Sequence, residues 1–277
     1  MPARRLLQGL AAAGACALAG MVAATASPAL EAPPSAFDPQ GALAYSQSAI
    51  GRSISPHRLL DGTSNGRHLA EFGGKPLVLN LVYTGCTHSC PLIVQTLYQA
   101  VETAQDTFGP EAFTIVTIGF DTDMDTPEQM RAYARSQGVD LPGWHFFSAD
   151  KATVDRLSGE VGFIYFPSPK GFDHLAQVTV LDAEGRVYRQ VYGDAFEPPA
   201  LVEPLKQLIY GRPSEPLSIE GIVDRVRLFC TLYDPASGRY RFEWSLFVGL
   251  VIGAASLIGV GTILVRALLR DLRRQRL

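Results

Sequence analysis

Residues 76–91 read PLVLNLVYTGCTHSCP, and this stretch decides the fold. Its first part, 76–84, is an apolar run of strand length, which is typical of a central β-strand that is covered on both faces. The run ends at Gly85, and from Cys90 to Phe108 the apolar residues recur at helical spacing. The stretch therefore predicts a buried strand that passes directly into a helix, with two cysteines at the junction.

The flanking sequence continues to alternate between strand and helix patterns. Turn signals within 53–72 predict a hairpin before the buried strand. Further strands are predicted at 113–120, 144–148, 177–182 and 186–192, and helices between Pro127 and Gly138, at 151–161 and at 198–210. This order predicts an α/β fold with a mixed sheet and helices on both of its faces.

The N-terminal residues carry the signs of an export signal. Arg4 and Arg5 precede an uncharged stretch, and small residues lead up to Ser27, so 1–26 is predicted to be a signal peptide. An uncleaved membrane anchor is the alternative. The following residues, 27–44, contain four prolines and no periodic apolar pattern, which predicts a flexible linker.

The C-terminal residues predict a membrane anchor. The 21 residues of 245–265 carry no charge, and a helix of that length is about 31 Å long, which matches the hydrocarbon core of a bilayer. Five arginines follow in 266–277, so the positive-inside rule makes this tail cytoplasmic. Residues 212–244 then form a juxtamembrane segment. The sequence thus predicts a single C-terminal span in a bacterial-type inner (cytoplasmic) membrane, with the globular domain on the periplasmic, exported side.

The charge distribution excludes one class of partner. The whole chain of 277 residues has a net charge of −3, but its basic residues are concentrated at the ends. Between 27 and 244, 26 acidic residues face 17 basic ones, a net charge of −9. Such a body does not suit a nucleic acid. Export would also place Cys86, Cys90 and Cys230 in an oxidising compartment.

The cysteine pair Cys86 and Cys90 can do chemistry in several ways. On one helical turn, residues four apart have Cα atoms about 6.2 Å apart, which is compatible with either a dithiol or a disulfide. A helix N-terminus favours thiolates, and paired thiolates suit cuprous copper, with zinc as a competitor. The alternative is a permanent structural disulfide.

A copper site would need a third ligand, and the chain has five histidines. His174 lies in a loop before a strand, from which its side chain could reach the cysteines. His145 lies inside an apolar strand and is predicted to be a core residue, whereas His57 and His68 are predicted to be surface groups. His88 lies between the two cysteines; on a regular helix it would point away from them, and we predict a role beside the site in proton movement. The alternative is that a loop before the helix brings His88 in as a fourth ligand, a set that would suit zinc.

Three motifs together resemble the Sco/SenC family in order and spacing. They are the run from Tyr83 to Pro91 with its CxxxCP, the later Asp121-x-x-x-Asp125-Thr126-Pro127, and Phe172-Asp173-His174 before a strand. The resemblance covers 45–211. It implies a thioredoxin-like fold that binds copper and delivers it to, or reduces the thiols of, the copper site of cytochrome c oxidase, with subunit II or a similar copper protein as partner and a thiol as reductant.

The resemblance also implies roles for individual residues. Cys86, Cys90 and His174 would bind copper as Cu⁺ or Cu²⁺, and the two cysteines would be the redox pair. Asp121 and Asp173 are predicted either to orient the ligands from beside the site or to be solvated acids in loops. Cys230 and the C-terminal apolar helix are similar to those of a membrane-bound Sco-like subgroup. Cys230 itself could be a buried, inert residue or a thiol that resolves the pair.

Two other functions stay open at the level of sequence. The chain could be a metal-independent thiol:disulfide oxidoreductase that uses Cys86 and Cys90. It could also be a structural assembly partner in which the cysteines are inert and the membrane helix is the binding element. Copper stoichiometry distinguishes a copper-binding protein from both alternatives. Turnover of a disulfide substrate distinguishes the oxidoreductase from the assembly partner.

Overall fold

The computed structural model of the protein describes residues 36–87, 89–211, 231–234, 239–242 and 244–274. The helices are α1 (Pro39–Ser48), α2 (Ser89–Phe108), α3 (Pro127–Ser136), α4 (Lys151–Val161), α5 (Pro199–Tyr210) and α6 (Trp244–Arg274), with a 3₁₀ turn at Leu69–Phe72. The strands are β1 (Arg58–Asp61), β2 (Gly66–His68), β3 (Leu77–Val82), β4 (Thr114–Gly119), β5 (Trp144–Ser148), β6 (Tyr165–Ser168), β7 (Gly171–His174), β8 (Gln177–Leu181), β9 (Val187–Tyr192), β10 (Thr231–Asp234) and β11 (Arg239–Phe242).

Seven strands form one mixed sheet. Their order is β2-β1-β5-β4-β3-β8-β9; β3, β4 and β5 run parallel, and the other neighbours pair antiparallel. Every residue of β3 and β4 is buried, as expected for strands at the centre of a covered sheet. The predicted α/β fold with a mixed sheet is therefore confirmed, and the carboxyl end of β3 leads to the cysteines.

Local capping signals fix the helices near the site. At α3, the Thr126 hydroxyl accepts the N–H of Gln129 at 3.3 Å, and Pro127 occupies the first turn. At α4, the Asp150 carboxylate accepts the N–H of Thr153 at 2.7 Å. Gly162 ends that helix in the left-handed region at φ 67°, where a side chain would be strained. These helices begin and end where the sequence predicts.

Helix α1 differs from the sequence prediction. The last residues of the predicted linker 27–44 belong to this helix, while 27–35 lie outside the described residues. Asp38 caps α1, because its carboxylate accepts the N–H of Gly41 at 2.7 Å. Tyr45 and Ser46 are buried on the side of α1 that faces the domain. The domain therefore begins with a packed helix.

A buried polar network holds α1 against the sheet. The Ser46 hydroxyl donates to the Gln177 side-chain oxygen at 2.7 Å, on β8. Thr179 on the same strand donates to Gln190 on β9 at 2.7 Å, and the Gln190 amide donates to the carbonyl of Val161 at the end of α4 at 2.9 Å. Because these groups are buried, their hydrogen bonds are strongly orienting. The network joins α1, α4 and two strands.

A small hairpin, β6–β7, carries His174. The sequence predicts a loop there, but Tyr165 pairs with His174 and Phe166 with Asp173 in a two-stranded sheet of its own. Gly171 makes the turn into β7 at φ 113°. His174 is therefore held at the end of a strand that is separate from the main sheet.

The C-terminal elements are the hairpin β10–β11 and the helix α6. Helix α6 covers 245–265, where the sequence predicts a transmembrane helix. Among the described residues, however, no helix is long and apolar enough to cross a membrane, and that prediction is not confirmed. The predicted signal peptide 1–26 and most of the predicted juxtamembrane segment 212–244, including Cys230, lie outside the described residues.

Candidate metal and thiol site

The two cysteines lie at the junction between β3 and α2. Helix α2 begins at Ser89, so Cys86 lies in the turn before the helix and Cys90 in its first turn. Cys86 is half-buried and Cys90 is only 1% exposed. The backbone N–H of Cys90 donates to the sulfur of Cys86 at 3.3 Å. The helix N-terminus thus presents a donor to Cys86, as expected for a sulfur that can carry negative charge.

The Cys90 thiol holds its proton more tightly than an ordinary cysteine thiol does. The pKa of Cys90 is raised, first by its hydrogen bond with Cys86, then by burial, and further by the charge of Asp125. For Cys90, these effects outweigh the helix dipole, so we expect this sulfur to be protonated in the metal-free pair. A metal that binds Cys90 must displace its proton.

His174 is positioned for ligation through one nitrogen. Its Nδ1 lies 3.1 Å from the carbonyl oxygen of Leu175, and since a carbonyl only accepts, Nδ1 carries the proton and Nε2 the lone pair. The ring packs among aromatic side chains, with centroids 5.5 Å from Phe120 and 5.5 Å from Phe163. Burial lowers the pKa of His174, and the negative charge of Cys86 only partly opposes this. The imidazole is therefore neutral at neutral pH.

Tyr83 connects the hairpin to the cysteines, and the sequence analysis did not single it out. Burial, followed by a hydrogen bond to Cys86, raises the pKa of Tyr83 to about 12, while the N–H of Phe172 also donates to the hydroxyl. Gly171 approaches so closely that a Cβ there would lie 2.6 Å from the Tyr83 hydroxyl oxygen. Only glycine fits both this contact and the positive φ. The hairpin is therefore seated on Tyr83, next to Cys86.

Asp125 is a second residue whose place the sequence did not reveal. In the sequence it is one member of the Asp121-x-x-x-Asp125-Thr126-Pro127 motif with no role of its own, yet it is 2% exposed. Its carboxylate accepts the N–H and hydroxyl of Thr84 at 2.8 and 2.7 Å and the N–H of Asp121 at 2.9 Å. Burial raises its pKa in spite of these hydrogen bonds. Asp125 thus ties the end of β3 to the loop after β4; its signal in the sequence is the adjoining Thr126-Pro127.

The remaining predicted site residues lie apart or cannot be placed. Asp173 is exposed on β7, although its charge acts on His174. Asp121 is half-buried at the start of the loop after β4, and His88 lies outside the described residues. Within the described part of the chain, no three His, Cys, Asp or Glu side chains are arranged to hold a metal ion. The ligand set of Cys86, Cys90 and His174 stays a prediction.

The other histidines have structural surroundings. His57 was predicted to be at the surface, but it is 4% exposed, with Nε2 2.7 Å from the Glu160 carboxylate on α4. His145 is partly buried against Phe72, with ring centroids 5.0 Å apart. His68 is exposed, as predicted.

Comparison with known proteins gives the same family as the motifs. The sequence profile described as SCO1/SenC matches residues 46–210. A candidate electron transfer protein from Aquifex aeolicus VF5 is similar in structure, with 26% identity and a TM-score of 0.53 over 60% of this chain and 97% of that one. Comparison with curated protein sequences found no significant match.

Two further solved structures are similar to this chain at lower identity. BsSco, a member of the Sco family of cytochrome c oxidase assembly proteins with a disulfide switch, is 13% identical, with a TM-score of 0.51 over 57% of this chain and 94% of that one. Bradyrhizobium japonicum ScoI with copper bound is 21% identical, with a TM-score of 0.47 over 57% and 99%. Because the profile spans 165 of the 277 residues, this chain belongs to the SCO1/SenC family.

Proposed function

We propose that this chain binds copper through Cys86, Cys90 and His174 and delivers it to, or reduces the thiols of, the copper site of cytochrome c oxidase subunit II or a similar copper protein. One observation carries the proposal: two cysteine sulfurs in hydrogen-bonding contact lie beside a hairpin that holds a neutral histidine. Tyr83 contacts both parts. Membership of the SCO1/SenC family supports the same function.

The donor set suits copper as a cargo. Thiolate sulfur is a soft ligand that selects Cu⁺, and imidazole is accepted by both copper oxidation states. The Leu175 carbonyl fixes the tautomer of His174 in the way that metal-bound histidines are commonly oriented. Loading releases the proton of Cys90, so copper affinity is expected to rise with pH.

Bringing the three ligands together requires His174 and the cysteines to approach each other, since no three such side chains among the described residues are arranged to hold a metal ion. Among the strands that the structure describes, β6 and β7 pair only with each other, so movement of this hairpin leaves the main sheet intact. We therefore expect copper to close the hairpin over the end of β3, and the reduced, metal-free form to be more open. Hydrogen exchange of the hairpin amides should slow on copper loading.

The test is copper loading of the reduced full chain in detergent. We expect one copper per chain, measured by metal analysis, and competition with a chromophoric Cu⁺ chelator gives the affinity. His174→Ala should weaken binding by more than the ~10–100-fold that loss of a group behind a metal ligand costs. His68→Ala is the matched control, because His68 is exposed on β2. Equal affinity of the His174→Ala and His68→Ala variants would refute the three-ligand assignment.

A metal-independent thiol:disulfide oxidoreductase is the second candidate. The unequal burial of Cys86 and Cys90 favours it, since one half-buried sulfur can meet a substrate while the buried one resolves the mixed disulfide. Turnover of a disulfide substrate by chelator-treated protein, lost in Cys90→Ser but unaffected by added copper, would establish this activity in place of copper delivery.

The proposed location is the exported side of a bacterial-type inner membrane. It rests on the sequence alone: the export signal of 1–26, the uncharged 245–265 and the five arginines after it. A reporter fused after Leu277 tests the orientation. We expect a cytoplasmic reporter to be active there and an export-dependent one to be silent; the opposite pattern would invert the topology.

A further inference from the structure

A groove beside His174 has no part in the proposed copper chemistry. It has a volume of about 650 Å³ and lies between α4, the hairpin β6–β7 and the loop after β4. Phe120, Tyr165, Phe166 and Phe172 give it aromatic walls. Phe120 also packs on His174, with ring centroids 5.5 Å apart. An occupant of the groove would therefore lie next to the candidate copper site.

The groove carries an excess of negative charge. Asp121, Asp123 and Asp155 line it together with a single cation, Lys151. Lys151 already pairs with Asp155 at 2.7 Å. In the described part of the chain, no salt bridge joins Asp121 or Asp123 to a lysine or arginine. Burial, and then the charge of Asp123, raise the pKa of Asp121, so the two neighbouring carboxylates repel each other and a bound cation would relieve that repulsion.

Ser158 supplies an independent sign of a ligand. It lines the groove, is 4% exposed, and its hydroxyl has no hydrogen-bond partner among the described residues. A buried hydroxyl without a partner is costly, and it can accept a hydrogen bond from an N–H group. A guanidinium supplies several N–H donors, carries positive charge and stacks on aromatic rings. Arginine is therefore the side chain that matches the aromatic walls, the carboxylates and the hydroxyl together.

We propose that this groove docks an arginine-bearing segment of the protein that exchanges copper or thiols with the Cys86, Cys90 and His174 site. The identity of that partner rests on the proposed function, whereas the chemistry of the groove does not. A second copy of this chain is a poor occupant, because the body carries a net charge of −9 and would repel itself. Docking here holds the partner beside the copper ligands without covering Cys86.

Labelled peptides test the groove directly. The probes are three end-blocked pentapeptides with phenylalanine at both ends, glycine in the middle, and either two arginines, two glutamines or two glutamates between them. Fluorescence anisotropy with the full chain in detergent should show binding of the arginine peptide, weakened by salt, and much weaker binding of the other two. Equal affinity for all three peptides would overturn the proposal.

Matched charge variants locate the binding. Asp123→Lys reverses an exposed charge in the groove and should weaken the arginine peptide about tenfold or more. Asp106→Lys makes the same change at an exposed position of α2 that does not line the groove, and should leave affinity nearly unchanged. An equal loss in both variants would show bulk electrostatics and refute a docking site. Binding of free arginine amide as tight as that of the peptide would refute a segment as the occupant.

The copper readout separates this proposal from the proposed function. Asp123→Lys should retain the copper stoichiometry of the wild type, while transfer to a soluble copper domain of cytochrome c oxidase subunit II slows in parallel with peptide binding. Unchanged transfer in that variant would refute docking of the partner. If the wild type binds the arginine peptide but holds no copper, the proposed copper function is refuted, whereas binding of an arginine-bearing segment in the groove is supported.

Discussion

The hydroxyl of Tyr83 contacts both parts of the candidate site. It is hydrogen-bonded to Cys86 on one side and accepts the N–H of Phe172 on the other. The Tyr83 and Phe172 rings also meet edge to face, with centroids 5.2 Å apart. Tyr83 therefore helps to set the position and orientation of the hairpin relative to the cysteines.

Replacing that hydroxyl gives the first prediction. Tyr83→Phe keeps the ring but leaves the N–H of Phe172 without its acceptor, which costs about 1–3 kcal/mol. We expect a lower free energy of unfolding and about tenfold weaker copper binding, measured by urea unfolding and by chelator competition. Tyr188→Phe is the control, since its hydroxyl donates to Gln207 at the surface. Copper affinity in Tyr83→Phe equal to that of Tyr188→Phe would show that the hydroxyl does not position the hairpin.

At the level of elements, the centre of the fold could be predicted from the sequence. β3 and β4 are apolar because both faces are covered, and α3 and α4 carry side-chain caps that are local in sequence. The junction that holds the cysteines follows from the same patterns. Helix caps and continuous apolar strands are patterns that neighbouring residues form, so the sequence alone predicts these elements.

Other elements depend on contacts that are distant in sequence. The residues of β6–β7 include Pro167 and a glycine turn, so they read as a loop, and they pair because their aromatic side chains pack on Tyr83 and Phe120. Helix α1 has too few apolar residues to show a stripe. It is held by the hydrogen bonds of Ser46 to β8 and β9 and by the packing of Ala42 and Tyr45 on Ile164. In the sequence, His57 has the surroundings of a surface residue. Its partner in the fold, the carboxylate of Glu160, lies 103 positions later and is not visible in the local pattern.

Strand β5 gives a prediction about pH. Burial, and then the charges of Arg67 and Lys75, lower the pKa of His145 from its usual 6.5 in the folded protein. The unfolded chain therefore takes up this proton first, and the free energy of unfolding should fall as the pH drops below about 6.5. In His145→Phe, urea unfolding at pH 7, 6 and 5 should show a smaller loss. His68→Gln, at an exposed site, should keep the wild-type slope; an unchanged slope in His145→Phe would contradict the prediction.

At the scale of the whole molecule, α1 acts as a strap across the sheet. It is bonded to β8 through Ser46, and the Tyr192 hydroxyl at the end of β9 lies 2.9 Å from the same side chain. The domain therefore begins before the first strand of the sheet, at α1. Residues from Asp38 onward belong to its cooperative unit.

Ser46→Ala tests this strap. It leaves the buried side-chain oxygen of Gln177 without its donor, and we expect a loss of about 1–3 kcal/mol in the free energy of unfolding. Ser48→Ala, on the same helix but hydrogen-bonded locally to the Tyr45 carbonyl, should lose less. Urea unfolding followed by circular dichroism measures both. Equal losses would mean that α1 is not held by the network.

The unequal burial of the two cysteines also sets the course of reduction when the pair is oxidised. An incoming thiolate attacks the half-buried sulfur of Cys86 and forms a mixed disulfide there, and Cys90 departs as the leaving thiolate. Burial makes that departing charge costly, and a leaving group with a raised pKa slows the exchange. The Cys86–Cys90 disulfide should therefore persist in the presence of small thiols. Only a reductant that also gives Cys90 a proton should reduce it quickly.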